Sequence, residues 1–444
     1  MPLAVVALSR RLLARLTVCV LIGITYAGAA TQTQVQRFAS PAPPKSDNRA
    51  DRFPSIQIRT GEISLPELGL GAAAVNAAIT LGTDGIHGRY TIDGLRDLAW
   101  PAAVAALTID GTLHSSPARV EAAGRALVEG QPVARWRLNP PNARTYPSVE
   151  VDIDAPATTL WRQLKPLMGE SFAPFDIDDG SVGGRMLLSW AADDPINGTG
   201  RITASGVVGT YDEVRFADAK IVAHITDIIR PSLEYQVDVV TTRLANGLEI
   251  ENFHTQVNHQ GEILSYLESS MRALGGIIRL PAATLDVNRY PFTTVLSIDE
   301  VDLASLLALL EQEGLSGSGS LTGSIPLAFH ADYFVIEKAE LHSTTQGNLR
   351  YTPSEGKVSE RIDNIALTAL KDFRYQVMNM ELDYDREGNY GIKTRLEGHN
   401  PDLYDGHPIA FNLNITGTLP GLLRSSLLSG DFSNQVLKSI NKNP

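Results

Sequence analysis

The sequence predicts a mainly β protein, an elongated, curled antiparallel sheet carrying a few short amphipathic helices. Three observations predict it. Apolar residues recur with period two from Ile56 onward. Turn dipeptides of Asx-Gly and Glu-Gly type punctuate those runs. Helical periodicity is confined to short segments. With 444 residues, 43% apolar and 20% charged, the chain has ample material for buried structure.

The elements follow in chain order. Arg10, Arg11 and Arg15 precede an uncharged apolar run from Leu16 to about Ala30, the pattern of an export segment over 1–30. Two readings stay open. Ala27-Gly28-Ala29 offers an A-x-A cleavage site, while Leu12 to Ala30 is long enough to span a bilayer if Arg15 snorkels. Residues 31–55, with Pro41, Pro43, Pro44 and Pro54, read as a tether. No later run approaches the ~20 apolar residues that a spanning helix needs.

Ile56, Ile58, Ile63 and Leu65 open the strands. Leu233, Tyr235, Val237 and Val239 alternate with polar partners. So do Met378, Met380, Leu382 and Tyr384, followed across Glu387-Gly388 by Tyr390, Ile392, Thr394 and Leu396; Phe411, Leu413 and Ile415 form one more strand. Turns are expected at Asp84-Gly85, Asp93-Gly94, Asp110-Gly111, Asp179-Gly180, Asn197-Gly198 and Asn246-Gly247. Helices are expected over Ala157 to Met168, from a cap at Asp302 to a stop at Gly314, over Ile362 to Phe373, and from Pro420 to Leu428. A helix, a glycine hairpin (Gly180 to Gly184, Gly319 to Gly323) and a strand occur twice, 139 residues apart, which fits a stack of sheet units. The boundaries are then 56–174 for an N-terminal section and 175–444 for a C-terminal domain.

Several functions are excluded by composition. Asp plus Glu number 50 against 38 Lys plus Arg, a net charge of -12, so the basic footprint of a nucleic-acid binder is missing. Cys19 is the single cysteine, which removes thiol catalysis, internal disulfides and thiolate metal sites. Gly69-x-Gly71-x-x-Ala74 mimics a dinucleotide fingerprint but lacks a strand–helix–strand context. His254 and His259 are five apart on a strand and face opposite sides, so no metal site is expected. Asp193-Asp194, and Asp383 with Asp385, lie where turns demand Asp. No cofactor and no enzyme activity is expected.

So much alternation needs a dry partner for one face, and the helices are too few to supply it. Either the sheet closes on itself or it curls into a trough covered by something else, for which lipid acyl chains are the natural occupant beside a membrane. Met378, Met380, Leu382, Tyr384, Ile392 and Leu396 are the candidate lining, with Glu381, Asp383, Lys393 and Arg395 outside. Ordinary β-sandwich units of a protein-binding envelope scaffold are the competing reading.

Leu274-Gly275-Gly276, Asp302-Leu303-Ala304, Gly314 to Gly323 with Ile325-Pro326-Leu327, Gly347 to Tyr351, Ala366 to Tyr375 and Gly398-His399-Asn400-Pro401 resemble the YdbH family. That family is grouped with the TamB and AsmA-like proteins of Gram-negative envelopes. The resemblance implies a repeating β-groove on the periplasmic side of the inner membrane, conducting phospholipids toward the outer membrane. It also implies a small outer-membrane lipoprotein adding strands at the edge formed by Phe411, Leu413 and Ile415. Longer members of the family are roughly twice the length of this chain.

Overall fold

A computed structural model describes residues 55–65 and 70–418 apart from short stretches, the longest being 190–196 and 353–367. The expected export segment, most of the tether and the helix expected at Pro420 to Leu428 lie outside the described residues. The described residues form 23 strands of one antiparallel sheet that does not close, with two short helices. The expectation of a mainly β chain holds.

Two compact units divide the chain. The first takes the residues up to 168, then Gly180–Ala204 and Ala223–Leu233. Its strands β1 (Ser55–Leu65), β2 (Leu70–Leu81), β3 (Ile86–Leu95), β4 (Leu107–Ser115), β5 (Val120–Val128), β6 (Gln131–Asn139), β7 (Ser148–Pro156) and β8 (Phe175–Ser189) each pair with the next. Helix α1 (Ala157–Leu164), continued by a 3-10 turn over Lys165–Leu167, follows β7. Strands β9 (Asn197–Tyr211) and β10 (Val214–Asp227) pair with each other.

The second unit takes Gly169–Asp179, Ser205–Val222 and the residues from Glu234. Strands β11 (Ser232–Arg243), β12 (Glu249–Gln260) and β13 (Ile263–Ala273) lead to β14 (Gly276–Leu280) and β15 (Ala283–Asp286). Both β14 and β15 pair with β13 in one register and are separated at Pro281, which has no N–H to give a ladder. Next come β16 (Phe292–Asp302), helix α2 (Leu303–Leu309), β17 (Leu315–Ser318), β18 (Ser320–Phe329), β19 (Phe334–Ser343), β20 (Gly347–Tyr351), β21 (Phe373–Tyr384), β22 (Asn389–His399) and β23 (Ile409–Thr418). Asp302 caps α2 as expected, its Oδ2 accepting from the Ser305 amide and hydroxyl, both at 2.8 Å.

A slip of one residue would turn every side chain of a strand to the wrong face, so extra residues must be absorbed as bulges. Three bulges share one construction. Thr60, Glu300 and Lys338 adopt left-handed φ of 51°, 56° and 57°. The amide so freed from the ladder donates to a side chain on the neighbouring strand: Asn76 Oδ1 at 3.0 Å, Thr322 Oγ1 at 3.1 Å and Asp383 Oδ1 at 3.0 Å. Alternation then resumes in phase.

The internal repeat is a strand, a short helix and a glycine-kinked strand. Pro156 at the end of β7 pairs with Ser181, and Asp302 at the end of β16 pairs with Ser320. Each partner directly follows a glycine at φ 125°, Gly180 and Gly319. These glycines were expected to form hairpins; instead Gly180 lies inside β8, and Gly319 joins β17 to β18. At Gly319 the reason is visible. Tyr375 lies across Gly319 and Gly347, where any Cβ would overlap its ring, and its hydroxyl donates to the Ser318 carbonyl at 2.7 Å. Burial, then the charge of Asp302, pushes the Tyr375 phenol up to about 12.

Other expectations are corrected. Asp93-Gly94 is a bulge in β3, and Asp110-Gly111 lies mid-strand in β4. Phe373, assigned to a helix from spacing, begins β21, because the helical residues end at Ala369. The turn at Glu387-Gly388 forms as expected, with Gly388 at φ 89° and its amide on the Asp385 carbonyl.

Two predictions follow from packing. Gly319→Ala should cost about 1–3 kcal/mol in urea unfolding, and Tyr375→Phe about 1 kcal/mol; an unchanged midpoint for both would refute the kink lock. His259 on β12 is fully buried. Burial holds its imidazole below the ordinary value. A group whose folded-state value is depressed contributes stability above its unfolded value, about 6.5, and loses it as pH falls. The urea midpoint should therefore drop between roughly pH 7.5 and 5.5, and His259→Leu should shrink that drop. An equal drop in both proteins would remove His259 from the account.

Candidate functional site: the apolar face of the sheet

In the first unit the register aligns apolar residues into rows that cross the strands. One row runs Ile58, Ala77, Tyr90, Gly111, Gly124, Trp136, Val151 and Met186 from β1 to β8. A second runs Ile56, Ile79, Gly88, Leu113 and Ala122, and on the same face Leu138, Val149 and Leu188 are paired. Burial is graded along both. Ile56 is 51% exposed and Ile58 40%, whereas Trp136 is buried and Val149 and Met186 are closed to water. Leu160 of α1 packs against this cluster. Gly111 and Gly124 are directly opposed, and a Cβ on Gly111 would strike the Tyr90 ring. Burial, followed by the charge of Asp110, raises the Tyr90 phenol well above its ordinary value.

The opposite face is polar. Its central row reads Asn76, Thr91, Asp110, Arg125, Arg135, Asp152 and Arg185. Arg125 holds Asp110 through two nitrogens, and Arg185 reaches Asp152 at 2.8 Å and Glu150 at 3.1 Å. These pairs are exposed, so water screens them and each contributes little to stability. They fix which face is wet.

In the second unit the predicted lining residues share one face. Leu341, Met380, Thr394 and Leu413 form one row, Ala339, Leu382, Ile392 and Ile415 the next, and Ile336, Tyr384 and Tyr390 a third. Met378, Leu396 and Phe411 complete the face. Met378, Met380, Tyr384, Ile392 and Leu396 are buried and Leu382 half-buried, all in one cluster with Leu303 and Leu307 of α2. Glu381, Asp383, Lys393 and Arg395 are exposed on the other face. The Thr394 hydroxyl is buried in this cluster without a hydrogen-bond partner among the described residues. Phe411 and Leu413 are half-buried, and among the described residues β23 pairs only with β22.

The other sequence candidates come apart. His254 bonds Asp238 at 2.6 Å near the surface while His259 is buried. Gly71 and Ala74 lie in strand β2. Asp385 caps its turn on Asn389, whose hydrogen bonds hold the carboxyl below the ordinary range. Asp193-Asp194 lie outside the described residues. Among the described residues no three His, Cys, Asp or Glu side chains could hold a metal. Sequence reading missed the first unit's apolar row through Tyr90, Trp136 and Met186, because glycine and alanine at 77, 111 and 124 interrupt the apolar period there.

A profile of the YdbH-like family, described as intermembrane phospholipid transport protein YdbH, matches residues 153–441, about two thirds of the chain. The chain belongs to the YdbH-like family. No curated protein and no solved structure gives a match. The residues that carried the resemblance are structural in this YdbH-like chain. Tyr375 locks the Gly319 kink, and Arg350 and Arg374 flank Asp372, the Arg350 hydrogen bond first among the causes that hold its carboxyl below the ordinary range. Asn400 donates to the Thr368 and Ala369 carbonyls at 3.2 and 2.9 Å and so ties down the turn before β21. The family signature therefore builds the kink at Gly319 and the turn before β21.

Replacing the buried Thr394 hydroxyl by a methyl removes an unsatisfied group at constant shape. Thr394→Val should leave stability equal or raise it by up to ~1–2 kcal/mol, while Met380→Arg should cost several times more in the same urea titration. A Thr394→Val variant that is strongly destabilised would mean the hydroxyl has a partner.

Proposed function

We propose that this chain conducts phospholipids between the two membranes of a Gram-negative envelope, with acyl chains lying along the apolar face. Family membership supports intermembrane phospholipid transport at the level of the family. The observation that carries the reading to this chain is the registration of apolar rows on one face against a charged opposite face, over β1 to β8 in the first unit and over β19, β21, β22 and β23 in the second. An ordinary sandwich needs no such continuity over so many consecutive strands. In this reading Met378, Met380, Leu382, Tyr384, Ile392 and Leu396 are lining. Flexible thioethers at 378 and 380 suit a surface that exchanges its own contacts for those of mobile acyl chains.

The N-terminal segment then exports the chain and keeps it on the periplasmic side of the inner membrane. The β23 edge, with Asn412 and Asn414 on its polar face, is where a small outer-membrane lipoprotein would add a strand. One observation favours the scaffold reading instead: the C-terminal lining is closed by its own side chains, as an ordinary core would be.

Two measurements separate these readings. Full-length protein extracted in mild detergent should carry phospholipid detectable by mass spectrometry, and a photo-crosslinking residue at Met380 should capture it. Capture at Asp383 alone, or no lipid at either position, would favour the scaffold. A folded, protease-resistant Met380→Arg/Leu396→Glu variant should lose lipid passage; full activity in that variant would defeat the conduit.

A further inference from the structure

The polar face of the first unit carries a hollow that the acyl-chain reading does not use. It has a volume of about 730 Å³ and lies over β2 to β6. Its floor is one directly opposed row, Ala78, Arg89, Thr112, Ala123 and Arg137, in which the small residues open the space and the two arginines stand on either side. Arg89 and Arg137 are on β3 and β6, three strand spacings or roughly 14 Å apart. The next row along the strands supplies His87, His114 and Glu121. The two imidazoles touch, with ring centres 4.3 Å apart and an Nδ1–Nδ1 distance of 3.0 Å.

What distinguishes this hollow is uncompensated charge. Two of the arginines on this face are engaged, Arg125 by Asp110 and Arg185 by Asp152 and Glu150, while Arg135 lies outside the hollow. Glu150 is directly opposite Arg137 in the ladder, yet it pairs with Arg185 instead. Among the described residues neither Arg89 nor Arg137 has an ion-pair or hydrogen-bond partner, and Glu121 is the one acid in the lining. A chain with net charge -12 thus gathers two unpaired guanidiniums and two imidazoles around a concave surface. Concavity focuses the field, and guanidinium forks match tetrahedral oxyanions.

We propose that this hollow binds a phosphate group, the oxygens taken by Arg89 and Arg137 and the imidazole N–H groups adding donors. The group can come from a phospholipid headgroup or from a free phosphate. The site lies on the face opposite the apolar rows, so it stands or falls independently of the acyl path.

The test is calorimetric titration of the purified full-length protein with inorganic phosphate and, separately, with glycerol 3-phosphate. Both titrations are paired with flotation on phosphatidylcholine vesicles with and without phosphatidylglycerol. Binding of phosphate or glycerol 3-phosphate, or flotation that requires phosphatidylglycerol, is the expected result. Arg89→Ala/Arg137→Ala should weaken it at least tenfold, whereas Arg135→Ala, one row away and outside the lining, should not. Thr112→Glu places an acid on the exposed floor between the arginines and should abolish binding in a protein with unchanged thermal midpoint. Inorganic phosphate binding as tightly as the ester identifies free phosphate as the source. Binding confined to the ester and to phosphatidylglycerol vesicles identifies the headgroup. No binding of any probe, or Thr112→Glu binding like the unaltered protein, overturns the site.

Discussion

Phase is the constraint on which everything else in this fold depends. A sheet with one dry face tolerates no net slip, because one residue of slip exposes an entire apolar row. The chain meets this with bulges that absorb a residue and restore alternation. At Thr60, Glu300 and Lys338 the backbone turns left-handed and a neighbouring side-chain oxygen takes the released amide. Where the register shifts between Tyr375 and Val377, the Ser343 hydroxyl accepts from the Met378 amide at 3.0 Å and Val377 is turned outward. The apolar rows exist because these local corrections keep them aligned.

Glycine has a second use beside the turns, and this explains where the sequence misled. Asp-Gly between alternating runs reads as a hairpin because it supplies positive φ, and Gly388 behaves so. Gly111 instead sits mid-strand opposite Gly124, where the missing side chains give the Tyr90 ring its place. Gly180 and Gly319 bend strands so that the segment past the bend pairs with the strand that entered the helix. Composition and spacing cannot tell a glycine that turns the chain from one that lets an aromatic ring lie flat; only the strand opposite decides.

The period-two pattern, the Asp302 cap and the two faces of the Gly388 hairpin were legible because each is set by residues close in sequence. The helix expected from Ile362 to Phe373 failed at its end for the opposite reason. Phe373 continues the 3.6-residue spacing, yet its backbone is held in the sheet by pairing with Leu349, 24 residues earlier. The Arg89–Arg137 hollow was invisible for the same cause. Its walls are 48 residues apart and its floor is defined by small side chains that carry no signal of their own.

The apolar faces of the two units differ in a way that bears on the proposed acyl path. In the first unit the apolar face opens at β1, where Ile56 and Ile58 are exposed, and closes by β7 and β8. In the second, Met378, Met380 and Leu396 are already covered by one another and by α2. Filling such a face with hydrocarbon exchanges one set of apolar contacts for another, so the change in buried area on the lining itself is small. In the proposed conduit the free energy of loading would come mainly from apolar surface that is wet beforehand, as at Ile56 and Ile58 on β1. In that reading an acyl chain gains most by docking where the face is open.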